Sequence, residues 1–269
     1  MIIMKLGLIG LGKMGYNLAK NLKDNKHEVI VANRSDERVK KAESEGFQGV
    51  YSLPDLIKAL DKPRIVWLMV PAGKAVDSLI DELAPLLDKG DIIIDGGNSH
   101  YKDSIRRKQA LSQRDIAFID VGTSGGISGA RHGACMMVGG EKNSVSYCET
   151  IFKDACVDDG YLHTGPSGSG HYVKMIHNGI EYGMLQAMAE GFEILEKSSF
   201  DLNYEKVAKV WNHGSVIRGW LMELMENAFS KDANLDQIKG EVRSSGEGLW
   251  TVQEALDLNV PAHTIASSL

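Results

Sequence analysis

Residues 5–15 read KLGLIGLGKMG, an apolar run that ends in glycines at positions 10, 12 and 15 and passes into the amphipathic stretch KMGYNLAKNLKDN. Glycine triplets of the form G-x-G-x-x-G arise by chance, and their context gives them meaning. Here the run predicts a strand that closes on a tight turn and opens a helix, the setting in which the motif cradles a dinucleotide. Gly10 permits the turn, Gly12 lets a diphosphate approach the backbone, and Gly15 allows the helix to pack closely on the strand. Leu11, Lys13 and Met14 complete the turn, and the free N–H groups of the helix start face the phosphates.

Farther along, HEVIVAN, RIVWLMV and DIIIDGG are short, almost continuously apolar runs, separated by the helical stretches ERVKKAESEG and AVDSLIDELAPLL. Strands without polar alternation, spaced by amphipathic helices, predict a parallel sheet covered on both faces. IAFIDVG and ACMMVGG extend that sheet. After LHTGPSGSG at 162–170 the pattern changes to long helical periods and keeps them to Leu269. The expectation is an α/β fold: a Rossmann-type, doubly wound, mainly parallel domain over residues 1–163, a Gly-Ser hinge, and an all-α domain over 164–269 for substrate binding and dimerisation.

The end of the second predicted strand bears on the choice of dinucleotide. An NAD site usually places Asp or Glu about 20 residues after the glycines, on the ribose hydroxyls. This chain has Asn33, Arg34 and Ser35 there. A guanidinium and a hydroxyl accept a 2′-phosphate that a carboxylate would repel, so NADP is expected in preference to NAD.

Composition narrows the field. The 269 residues are 43% hydrophobic and carry a formal net charge of −6, which argues against nucleic acid as a partner. No stretch reaches the roughly 18 apolar residues needed to span a bilayer. Cys135, Cys148 and Cys156 lack metal-ligand spacing and are odd in number, which favours a reduced, cytoplasmic setting over a disulfide framework. No His/Asp/Glu cluster with ligand spacing is visible, and no metal is expected.

HYVKMIHNGIEYG, residues 171–183, places Lys174, His177, Asn178 and Glu181 within an arc of roughly 100° if it is helical. The opposite arc carries Ile176, Gly179, Ile180, Gly183 and Ala187, suited to close packing. Alone, the polar arc reads first as a solvated face, as on most amphipathic helices, and only second as the wall of an active site. Three further motifs decide between them: VPAGKAV at 70–76, DGGNS at 95–99 and GTSGGISGARHG at 122–133. Each follows a predicted strand, so their loops gather at the carboxyl edge of the sheet, where doubly wound folds bind ligands.

Taken together, DGGNS, SGGxxGAxxG and KMxHNGIEYG resemble the 6-phosphogluconate dehydrogenases, in particular the short bacterial type that lacks a duplicated helical region. The resemblance runs from residue 4 to about residue 263. It implies NADP-dependent oxidative decarboxylation of a phosphorylated sugar acid, 6-phosphogluconate, to ribulose 5-phosphate within the pentose phosphate pathway; the long helical periods of the second domain separately suggest a homodimer or higher homo-oligomer. The resemblance further implies Lys174 as general base and acid, and Glu181 as the second acid. Ser124, Gly125 and Gly126 would lie near the substrate carboxylate, Asn98, His177 and Asn178 on its hydroxyls, and Tyr182 on its phosphate. Val70, Pro71 and Ala72, with Asn98, would bracket the cofactor, although Pro71 stands where the long forms have lysine.

Two departures accompany the match. In SSGEGLWTVQEAL at 244–256, Leu249 occupies a position that is cationic in the family and contacts the substrate phosphate. The chain also ends at HTIASSL, ahead of the segment that supplies a further phosphate-binding arginine, so a C-terminal truncation relative to the family is expected. Lys102, Arg131 and Arg243 are the cations that could compensate. The departures keep two alternatives open: a related β-hydroxyacid dehydrogenase acting on an unphosphorylated acid, and a catalytically impaired dinucleotide-binding sensor or scaffold.

Overall fold

The structure, a computed structural model, describes residues 2–241 and 245–269. It divides into two compact units, Met1–Met175 and Ile176–Leu269. The strands of the first unit are β1 (Lys5–Ile9), β2 (Glu28–Ala32), β3 (Gln48–Val50), β4 (Ile65–Leu68), β5 (Ile92–Asp95), β6 (Ala117–Ser124), β7 (Ala134–Gly139) and β8 (Cys156–Gly165). The helices between them are α1 (Lys13–Asp24), α2 (Asp36–Ser44), α3 (Leu53–Lys58), α4 (Lys74–Leu83), α5 (Tyr101–Ser112), α6 (Gly126–His132) and α7 (Lys142–Ala155). A long helix, α8 (Ser169–Lys197), then leads to α9 (Tyr204–Asn212), α10 (Trp220–Lys231), α11 (Glu247–Asp257) and α12 (His263–Ser267).

The eight strands form one sheet in the order β3-β2-β1-β4-β5-β6-β7-β8. Pairing is parallel throughout except between β6 and β7. Period-two alternation sorts the strand residues onto two faces. Leu6 and Leu8 of β1, Ile65 and Trp67 of β4, and Ile92 and Ile94 of β5 join Leu18 and Leu22 of α1 in one core. Ile9, Val66, Leu68 and Ile93 join Val76, Ile80 and Leu83 of α4 in the other. Burial on both faces explains why these strands read as unbroken apolar runs. Trp67 closes the first core edge-on against Phe152 of α7, with ring centroids 5.5 Å apart.

Three features depart from the sequence reading. β3 is three residues with a central glycine, too short to carry a period. β8 is an edge strand whose VDDG segment includes a left-handed Asp159, and its polar, exposed residues hide it from any apolar pattern. The segment expected as a Gly-Ser hinge is fixed within the first unit: residues up to Gly165 belong to β8, and Ser167 Oγ donates to the Phe118 carbonyl at 3.1 Å. Its glycines serve close approach, not slack.

The second unit is helical. Phe192, Ala208, Met222 and Phe229 form its core, with Tyr204 and Trp211 packed edge-on against Phe192. Asn203 starts α9 by accepting the Lys206 N–H at 2.8 Å, a side-chain cap on an otherwise orphan donor. α8 meets α11 and α12 through its glycines. A methyl group added at Gly179 would lie 2.6 Å from Thr251, and one at Gly183 would lie 3.4 Å from Thr264. The arc expected to be buried is therefore buried at Gly179 and Gly183, whereas Ile180 is 52% exposed.

Candidate active site

The glycine turn can be tested by asking what a side chain would meet at each position. A Cβ at Gly10, where φ is +107°, would lie 2.4 Å from the Met69 carbonyl oxygen, and one at Gly15 would lie 2.0 Å from the Gly10 carbonyl oxygen. Both are glycine because the chain fills the space. At Gly12 nothing lies within 4 Å. Gly12 is also the N-cap of α1 and supplies no side-chain cap, so the first N–H groups of the helix open onto that space. The turn is braced from the end of β2 and from α2: Asn33 accepts the Leu11 N–H at 2.9 Å, and Arg38 donates to the Leu11 carbonyl at 3.2 Å.

A cleft of about 970 Å³ opens over this turn and is lined by Gly10, Gly12, Asn33, Arg34, Ser35, Val70 and Pro71, among others. That volume suits a large cofactor. Leu11, Lys13, Met14 and Gly15 stand in the turn and the first turn of α1 behind it; they, Ala72 and Asn98 do not line the cleft. Arg38 and Tyr51 do, and the sequence reading did not include them. Arg38 lies four residues after Arg34, a spacing that could have signalled it. Tyr51 follows β3 and had no such signal. Arg34 has no hydrogen-bond or ion-pair partner among the described residues, and Ser35, at the N-cap of α2, makes no side-chain cap. Both polar groups therefore stand uncommitted at the end of β2.

DGGNS begins at the last residue of β5. Asp95 is fully buried; it accepts the Gly97 N–H at 3.0 Å and the Ser99 hydroxyl at 2.7 Å. Arg107 of α5, also buried, donates to Asp95 at 3.1 Å, to Asp77 of α4 at 2.8 Å and to the Gly73 carbonyl at 3.1 Å. One guanidinium thus joins the DGGNS loop to the loop that carries Pro71 and Ala72. Burial pushes the Asp77 carboxyl upward, but Arg107 and Arg106 outweigh it and hold it below the ordinary range. Asn98 adopts a left-handed conformation, φ +52°, and its amide meets the backbone of Thr123 twice. It accepts the Thr123 N–H at 3.1 Å and donates to the Thr123 carbonyl at 3.4 Å. Beyond Thr123, Ser124 ends β6, and Gly125 and Gly126 take positive φ at the start of α6, with open space beside Gly126.

Lys174 lies in the second turn of α8 and is 6% exposed. Its stem rests on β6, because a Cβ at Gly122 would lie 2.3 Å from the Lys174 Cβ. Gly122 belongs to the quoted motif, but only the structure shows what its missing side chain accommodates. Farther along α8, His177 Nδ1 lies 3.0 Å from Asn178 Oδ1 and 3.7 Å from Glu181 Oε2. Asn178 is 9% exposed, and the polar arc is thus not a uniformly solvated face. The Tyr182 ring packs on Gly248, where a Cβ would lie 2.5 Å away.

Of the cations considered for a phosphate, Arg131 is paired with Asp24 of α1 at 2.7 Å, so its charge is already engaged. Lys102 Nζ lies 5.6 Å from the centroid of the Tyr101 ring. Arg243 lies outside the described residues. Leu249 is 60% exposed. Among the described residues, no group of three His, Cys, Asp or Glu side chains is gathered as a metal site, and no helix is long and apolar enough to cross a membrane.

Residues 5–160 match the family model for the NAD binding domain of 6-phosphogluconate dehydrogenase, and residues 170–269 match that for its C-terminal domain. The chain is 55% identical to YqeC of Bacillus subtilis, which is provisionally named for this dehydrogenase; the match covers 99% of this chain and 89% of that one. It is 46% identical to the NAD(+)-dependent, decarboxylating 6-phosphogluconate dehydrogenase of Haloferax volcanii, with 99% and 89% covered. Among solved structures, the Plasmodium falciparum 6-phosphogluconate dehydrogenase, described apo, with NADP+ and with 6-phosphogluconate, superposes with a TM-score of 0.89 at 35% identity, over 98% of this chain and 60% of that one. A Mycobacterium tuberculosis 3-hydroxyisobutyrate dehydrogenase, at 19% identity and a TM-score of 0.80, shares the fold. Two matched domain models and relatives covered over 89% of their length place the chain in the 6-phosphogluconate dehydrogenase family, among the nicotinamide-dinucleotide oxidoreductases.

Proposed function

We propose that the protein catalyses the NADP-dependent oxidative decarboxylation of 6-phosphogluconate to ribulose 5-phosphate and carbon dioxide. The observation that carries this reading is the placement of Lys174. It is a buried lysine laid on the strand that leads into the Ser124–Gly126 turn, with Glu181 two turns farther along the same helix, about 10.5 Å of rise. A free lysine, with a pKa near 10.4, is a poor base at neutral pH. Burial and a neighbouring cation favour the neutral amine in general.

Gly12 and the N-terminus of α1 would hold the dinucleotide diphosphate, and Arg34 and Ser35 the 2′-phosphate. When bound, the oxidised cofactor supplies the hydride acceptor. Lys174 takes the proton of the substrate's β-hydroxyl as the hydride leaves that carbon, giving a β-keto acid. The protonated lysine then donates to the ketone oxygen as the bond to the carboxylate breaks, and the electron pair passes into the enol. Glu181 delivers a proton to the carbon that lost carbon dioxide while Lys174 recovers the enol proton. Asn98, His177 and Asn178 would orient the hydroxyls, Ser124 and the two glycines the carboxylate, and Tyr182 the phosphate.

One residue favours a second reading, oxidation of a related unphosphorylated β-hydroxy acid. Leu249 is exposed at the position where a phosphate-binding cation is expected. A steady-state comparison of 6-phosphogluconate with gluconate, using NADP+ and NAD+ and detecting carbon dioxide, separates the two. The proposal requires NADP+ reduction with one carbon dioxide per turnover on the phosphorylated acid; preference for gluconate supports the second reading, and turnover of neither refutes both. The exposed Val216, Ile217, Trp220 and Leu224 of the second unit support self-association, for which sedimentation should give twice the chain mass.

A further inference from the structure

Asp120 and Gly122 of β6 take no part in the reaction as written, yet both face the start of α8. Two residues apart on a strand, they point to the same side. Asp120 is 0% exposed. Its Oδ1 accepts the Gly168 N–H at 2.5 Å and its Oδ2 accepts the His171 N–H at 2.9 Å. These donors stand at the helix start, where N–H groups have no partner within the helix. A side chain from the sheet therefore caps α8 in place of a residue of the helix itself. His171 is further held by Ser104 of α5, Oγ to Nδ1 at 2.8 Å, and Lys174 follows it by three residues on the same helical face.

Glycines bring the two backbones together. A Cβ at Gly170 would lie 2.5 Å from the Met137 carbonyl oxygen and 2.6 Å from that of Asp120. One at Gly139 would lie 2.7 Å from both Asp120 Oδ1 and the Gly170 nitrogen. At Gly122 the close neighbour is Lys174 itself.

From this geometry we infer that Asp120 and Gly122 are positioning residues for Lys174: the carboxyl group fixes the depth and register of the first turns of α8, and the missing side chain at Gly122 gives the lysine stem its place on β6. The inference rests on Lys174 being the acid–base group.

The test compares kcat and KM for 6-phosphogluconate, the Kd of NADP+ and the Tm in Lys174→Met, Gly122→Ala and Asp120→Asn. Gly122→Ala should lower kcat by at least about 10²-fold, toward the Lys174→Met floor. Its NADP+ Kd should stay within about twofold of wild type, because no residue of the cleft is touched. Asp120→Asn keeps the size but turns a donor toward one of the two N–H groups, and should show the same split at about a tenfold loss of kcat. If Gly122→Ala does not fold, Asp120→Asn decides. A kcat within twofold of wild type in the deciding variant, with Lys174→Met inactive, overturns the inference and leaves the role of Lys174 standing. Parallel losses of kcat and NADP+ affinity also overturn it, as general damage to the fold. Full activity in Lys174→Met removes the reading beneath it.

Discussion

At Gly12 the absent side chain leaves a space that the protein does not fill, whereas at Gly122 and Gly170 other parts of the chain occupy the space at once. The first region is the dinucleotide turn, the second the bed of α8 on β6 and β7. The same residue type serves a ligand in one place and a helix in the other, and the distinction decides what each substitution should break. In the first region, binding should be lost while folding is kept. In the second, folding or the position of Lys174 should be lost while the dinucleotide cleft remains intact.

The largest effect is expected at the chemical end of the second region. Lys174→Met should lower kcat by roughly 10² to 10⁴ or more, with no reduced cofactor appearing in a single turnover, measured by stopped-flow absorbance. Appreciable hydride transfer in that variant would show that α8 is seated on β6 for stability alone. Next comes Gly12→Val, which should weaken NADP+ binding by about a hundredfold, near 2.7 kcal/mol, while leaving Tm almost unchanged. Titration of intrinsic fluorescence beside a thermal melt checks both halves; a large fall in Tm would move Gly12 into the class of filled glycines.

Gly170→Ala should do the reverse. Its methyl group meets carbonyl oxygens and a backbone nitrogen, none of which can rotate away, so a loss of about 2 kcal/mol or more in unfolding free energy is expected. Urea denaturation measures it, and an unchanged midpoint would mean that the bed is looser than the packing indicates. The smallest effect belongs to Arg34→Asp. The ratio of kcat/KM for NADP+ over that for NAD+ should fall by at least about tenfold, because a carboxylate replaces a charge-assisted donor. An unchanged ratio would leave Arg38, the other arginine lining the cleft, as the determinant.

The sheet was legible because its central strands are buried on both faces, and residues such as Ile92, Ile93 and Ile94 therefore appear as an unbroken run. β8 was not legible, since an edge strand with Asp158 and Asp159 in its middle has no apolar signature. The glycine fingerprint carried its meaning in its own spacing: Gly15 is constrained by Gly10, and both by Met69, which follows the neighbouring strand, while Gly12 stays open. Gly122, Gly139 and Gly170 are constrained by partners 19 to 52 residues away, a relation that no local spacing encodes. The same holds for Arg107, which looks like any arginine of an amphipathic helix until its bonds to Asp77, Asp95 and Gly73 are seen.

The Asn98 amide has a consequence for the tempo of the molecule. The last paired residues of β5 and β6 are Asp95 and Asp120; β6 stays paired with β7 as far as Ser124, but beyond Asp120 its N–H groups on the β5 side have no strand to receive them. Asn98 instead takes both the N–H and the C=O of Thr123, as a neighbouring strand would, and adds a rung to the ladder from a side chain. In hydrogen exchange, Thr123 should therefore behave as part of the sheet and open only with it. The turn at Ser124–Gly126 is thereby tethered to the slowest-opening part of the fold, and it presents one fixed surface to whatever enters the site.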